Sequence, residues 1–158
     1  MKNLSLFASA LAVLGLTACE KALVDDIADV GNGQEINSML QVKTRAGGSP
    51  GDEATVAYPV AVYVFHGNEC RAMQTIGDEG QTLNIPLVEG TYSVYAVGGA
   101  SASDYVLPDA SDALATSVIA LREGHEHDDL MAASATATLV DGGTNTVTLG
   151  MTRKTMLI

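Results

Sequence analysis

Residues 122–129, "REGHEHDD", hold the densest group of side chains able to bind a metal. His125 and His127 stand two apart, so on an extended chain both imidazoles fall on one face and could reach a single ion. Glu123, Asp128 and Asp129 would add oxygens. Zinc needs three or four converging ligands, and two imidazoles in a glycine-containing turn fall short of that. His125 and His127 stand as the metal candidates, and the expectation is a solvated polar loop with no metal. His66 is alone beside a turn glycine. Cys70, in "HGNECRAM", reads as a semi-buried thiol at a strand end rather than a nucleophile. The chain has no G-x-S-x-G elbow, no phosphate-binding glycine loop and no C-x-x-C. The chemistry on offer does not make an enzyme, and no cofactor is expected.

The other cysteine raises a different question. Lys2 opens a run, "LSLFASALAVLGL", that carries no charge, and the small residues Thr17 and Ala18 lead directly into Cys19. A positive start, an apolar stretch and a small-residue cleavage site are the order of a secretory signal. The run is too short for a bilayer of about 30 Å, which takes about 20 residues to span. Within that frame "LTAC" resembles the bacterial lipobox. The resemblance implies that the Cys19 thiol takes a diacylglycerol and that cleavage before it leaves an acylated N-terminus. The alternative is an ordinary signal peptide with a chance cysteine. Each buried methylene contributes about 0.8 kcal/mol, and two acyl signals suffice for stable anchoring, so a lipidated Cys19 would hold the protein to a membrane.

These elements must sit on a small body. Removing residues 1–18 from the 158 leaves 140, the size of one domain with a core of its own. With Cys19 committed to lipid, Cys70 has no partner for a disulfide inside the chain. The formal net charge of −11 excludes nucleic acid as a partner, since phosphate binding rests on Lys and Arg clusters. The acidic groups, in "DDIAD", "GDE" and "EGHEHDD", read as solubilising rather than cation-binding.

Residues 19–37 read as a tether with a Gly-Asn-Gly break. Residues 38–158 then carry strand signals almost throughout. "SMLQVKTRA" alternates, with Leu40 and Val42 on one side. "VAYPVAVYVF" is rich in β-branched and aromatic residues, with Val60, Val62 and Val64 facing one way and Tyr63 and Phe65 the other. "CRAMQTI" returns from it across a turn at Gly67 and Asn68. "QTLNIPL" holds Pro86, which lacks an N–H and so belongs on an edge or at a strand end. "EGTYSVYAVGG" is a second strong strand. "ASASDYVLPDASDALA" is loop-like, with a short helix capped by Ser111 as one option, and "TSVIAL" returns to strand. "SATATLV", "DGGTN" and "TVTLGMT" make a hairpin with one buried face. About seven short strands with little helical periodicity predict an all-β fold, an antiparallel β-sandwich.

Several of these stretches together resemble a family. The lipobox "LTAC", the strands "VAVYVFHGNE" and "VEGTYSVYAVGGA", and the closing "DLMAASATATLVDGGTNTVTLGMTRK" are similar to the fimbrillin-associated anchor and minor fimbrial subunits of Bacteroidales. The resemblance covers about residues 38–158. It implies transthyretin-like Greek-key sandwiches, usually two in tandem, that seat or cap a fimbrial polymer on the outer membrane, with fimbrial subunits as protein partners. In that family the pattern at "MTRKTMLI" runs on into further strands and a second domain. The chain stops at Ile158, and the expectation is a truncated or single-domain variant. In related fimbrillins an Arg-specific protease trims the N-terminal segment and opens a groove for a neighbour's strand. In "VKTRAGG" the bond between Arg45 and Ala46 is the corresponding candidate; the other reading is an ordinary Arg at a strand end. The rival functional class is a cell-surface lipoprotein whose loops bind a glycan or a protein ligand. It calls for exposed aromatics, of which Tyr105 in "SDYVLPD" is the candidate.

Overall fold

The computed structural model describes residues 35–48, 55–125 and 130–154. The alternating stretch at the front forms β1 (Ser38–Ala46). Leu40 and Val42 are fully buried and Lys43 is exposed, the period of two that sends successive side chains to opposite faces. β2 (Val60–His66) turns at Gly67 and Asn68 into β3 (Glu69–Ile76). Gly67 takes φ 59° there, a left-handed conformation that costs glycine little. The ladder between β2 and β3 slips once, because Val64 pairs with Ala72 and Phe65 with Cys70. Arg71 is the extra residue of that bulge.

β4 (Leu83–Leu87) and β5 (Gly90–Gly98) follow. A long crossover then carries two short strands, β6 (Tyr105–Val106) and β7 (Ala120–Leu121), paired with each other. β8 (Met131–Leu139) and β9 (Thr144–Arg153) close the chain's described part. "ASDALA" yields only a 3-10 turn, Leu114–Thr116, and Ser111 does not cap it. The Ser111 amide and hydroxyl instead donate to the Asp109 carboxylate, at 3.1 and 3.2 Å. That local side-chain turn competes with helix.

The main sheet has the order β3-β2-β5-β8-β9-β1-β4. β8 pairs with β5 along its full length, from Gly90↔Leu139 to Gly98↔Met131, whereas its ladder with β9 holds only Met131↔Arg153 and Ala132↔Thr152. The final hairpin therefore forms where expected but splays toward its turn, with β8 and β9 joining different halves of the sheet. The halves β3-β2-β5-β8 and β9-β1-β4 face each other in a sandwich-like all-β fold. One core holds Val62, Val64, Val94 and Ala96 from the first and Leu40, Val42, Ile85 and Leu149 from the second. The edge strands β3 and β4 come into contact, so the sheet is nearly closed.

One pair departs from an antiparallel arrangement. β1 and β9 run parallel, from Met39↔Thr144 to Ala46↔Met151. A parallel pair needs a long crossover between its strands, and here the rest of the domain is that crossover. Pro86 lies on the edge strand β4, opposite Met39, as its missing N–H requires.

Candidate functional site

The residues singled out for chemistry fall in separate places. Cys19, His127, Asp128 and Asp129 lie outside the described residues. The His125 ring nitrogen Nδ1 is 3.0 Å from Asp104 Oδ1, so its partner is a carboxylate that also sits beside the β6–β7 arm. Among the described residues no group of three or more His, Cys, Asp or Glu could hold a metal. Cys70 is half-buried and its Sγ lies 3.5 Å from the Ala72 carbonyl oxygen. Burial pushes its pKa up, with the Asp109 charge adding to this and backbone hydrogen bonds opposing it. A thiol held protonated is a poor nucleophile.

Arg45 and Ala46 are exposed at the end of β1, yet their backbone is paired with Gly150 and Met151 of β9. The pairing continues past the candidate bond, since the Gly47 amide donates to the Met151 carbonyl at 2.8 Å. Tyr105 is only 3 % exposed, so it is not the stacking platform that a glycan-binding loop would need. Its flanks of Ser and Asp gave no hint of burial. The residue lies where the crossover folds back on itself, its backbone paired with Leu121.

That crossover covers the outer face of β2 and β5. Tyr63, Phe65, Tyr95 and Val97 point away from the core, and with Pro108, Leu114 and Ile119 they line an apolar cavity of about 230 Å³. Phe65 and Tyr95 meet edge to face, with centroids 5.9 Å apart. Asn68 fastens the cover: its carbonyl accepts from the Leu114 amide at 3.0 Å and its side-chain oxygen from the Ala115 amide at 2.8 Å. Sequence gave Asn68 a turn role only, because its second role depends on a segment some forty-six residues later.

A second, wider cavity of about 900 Å³ opens between Tyr58, Pro59, Thr75, Val97 and Leu107, and the exposed backbone at a sheet edge is a surface for pairing. A scan against protein-family models matches residues 33–158 to the family described as fimbrillin-A associated anchor proteins Mfa1 and Mfa2. The chain belongs to that family. No curated protein and no solved structure matches it. The anchor family is structural rather than catalytic and belongs to the cell surface or envelope.

Proposed function

We propose that this chain is a lipid-anchored fimbrial anchor or accessory subunit. Acylation at Cys19 holds it to the outer membrane at the cell surface. Residues 1–18 are the signal removed on export, 19–37 the tether, and 38–158 the sandwich domain that seats or caps a fimbrial polymer by β-strand addition. The family match over residues 33–158 carries this reading, and the open sheet edges supply a means: backbone pairing gives affinity and alternating side chains give register. Processing at Arg45 is not part of it. β1 contributes Leu40 and Val42 to the core and is laddered to β9, and a cut there would part the domain from its lipid.

The rival reading is a cell-surface lipoprotein that binds a glycan or a protein ligand, and its glycan form loses support with the burial of Tyr105. The test has two arms. Cys19→Ala should abolish lipid labelling and move the protein to the soluble fraction. Capture of the native lipoprotein from cell envelopes, followed by mass spectrometry, should return fimbrial subunits. A labelled Cys19→Ala variant would sink the anchor; a capture free of fimbrial proteins would sink the partner.

A further inference from the structure

The cavity beneath the crossover is larger than a folded interior normally leaves. Cores hold few voids bigger than a water molecule, and this one measures about 230 Å³. Its floor is the outer face of β2 and β5. Tyr63 stands directly opposite Tyr95 in their ladder, and Phe65 meets Tyr95 edge to face. Pro108, Leu114 and Ile119 of the crossover form its roof. No described residue on its lining carries a formal charge, in a chain whose net charge is −11. Burial raises the pKa of Tyr63, which keeps that phenol neutral as well.

Water is a poor filler for this space, since a buried water needs about two to four polar partners. Among the described residues the lining offers side-chain hydroxyls only from Tyr63, Tyr95 and Ser117, and Ser117 Oγ already donates to the Ala113 carbonyl at 2.8 Å. Apolar cavities of about 150 Å³ stay dry and accept benzene. This one has room for a second, fused ring. It is too small for a drug-sized molecule, whose pockets run to about 300–1,000 Å³. The walls favour a ring over an alkyl chain, because an aromatic guest can meet Phe65 and the two tyrosines in offset or edge-to-face contacts. The wider cleft has no such wall. Tyr58 is its one aromatic among the described residues, and that hydroxyl is tied to Thr44 Oγ1 at 3.0 Å.

We propose that this cavity is a binding site for one small, uncharged aromatic molecule of one or two rings, held between the β2–β5 face and the crossover. The site goes beyond the anchor reading and does not depend on it. Leu114 is both a wall of the cavity and the point where the crossover is fastened. Its amide donates to the Asn68 carbonyl at 3.0 Å, and the next amide, of Ala115, donates to the Asn68 side-chain oxygen at 2.8 Å. The guest enters and leaves when this fastening opens, and a bound guest holds the cover down.

The test uses the full-length protein in nonionic detergent, with indole as the neutral probe and indole-3-carboxylate as the charged one. Indole should slow amide hydrogen exchange at residues 114–119 and 95–97. Indole-3-carboxylate should bind at least about tenfold more weakly, because its charge must leave water. Asn68→Ala removes one of the two fastenings and should raise the indole dissociation rate about fivefold. Ala132 lines the cavity from β8, and Ala132→Phe should fill the space and abolish the protection. Ser117→Phe closes the same space from the crossover and gives the same reading if Ala132→Phe does not fold. Equal binding of the two probes, or no protection by indole, would overturn the proposal. So would protection confined to residues 57–59 and 99–102 of the wider cleft, or undiminished protection in either folded Phe variant. An unchanged dissociation rate in Asn68→Ala would overturn the gating by the cover. Capture of fimbrial subunits is untouched by these outcomes and tests the anchor reading separately.

Discussion

Tyr63, Cys70 and Tyr92 are acids whose ionised forms the folded chain disfavours, in each case chiefly through burial. Their pKa values are raised above ordinary values of 9.0 for the thiol and 10.0 for the phenols. The folded state therefore keeps protons that the unfolded chain releases, and stability falls as pH rises. The contribution is intact below about pH 9 and is lost progressively above it. Urea midpoints measured from pH 7 to 11 should stay level and then drop, and Cys70→Ser with Tyr63→Phe should flatten the drop. A second residue-scale expectation concerns Gly98, where an added Cβ would lie 2.6 Å from the Ala57 carbonyl oxygen and 3.2 Å from Val60 Cγ2. The carbonyl is tied down by the Gly99 amide at 3.1 Å. Gly98→Ala should cost about 1–3 kcal/mol in denaturant unfolding. At this scale the inward set of Leu40, Val42, Val60, Val62 and Val64 was legible from alternation alone. The burial of Tyr105 was not, for it sits in a loop-like stretch whose fold-back onto Leu121 lies outside any short window of sequence.

Among the elements, local chemistry foretold what local chemistry controls. Pro86 named an edge strand, and Gly67 with Asn68 named the turn between β2 and β3. The parallel pairing of β1 with β9 joins strands about a hundred residues apart, and no window of sequence contains both partners. For the same reason the cover over β2 and β5 was only half visible: the turn at Asn68 can be read, but its bonds to Leu114 and Ala115 reach a segment far along the chain. The β1–β9 ladder also decides the fate of the Arg45–Ala46 bond. Proteases take extended chain that is free to leave its neighbours, and this bond is held to Gly150 and Met151. Folded protein treated with an Arg-specific protease should keep the bond intact under conditions in which urea-unfolded protein is cut. Rapid cleavage after Arg45 in the folded state would restore the processing reading.

At the scale of the molecule, the parallel ladder has a mechanical meaning. The chain enters the sheet at Ser38, the start of β1, and β9 leaves it at Arg153, at the opposite end of a ladder in which both strands point the same way. A pull applied between these two points drags β1 and β9 along each other, so that the pairs from Met39↔Thr144 to Ala46↔Met151 bear the load together in shear. A pull between Ser38 and Leu87 acts on adjacent ends of an antiparallel pair instead, and peels β1 from β4 one bond at a time. Single-molecule stretching should show a markedly higher rupture force for the first geometry than for the second, a difference set by unfolding rate rather than by equilibrium stability. Equal forces would mean that another part of the sandwich yields first. A domain held at the start of its first strand and loaded at the end of its last would thus meet the pull with its whole parallel ladder at once.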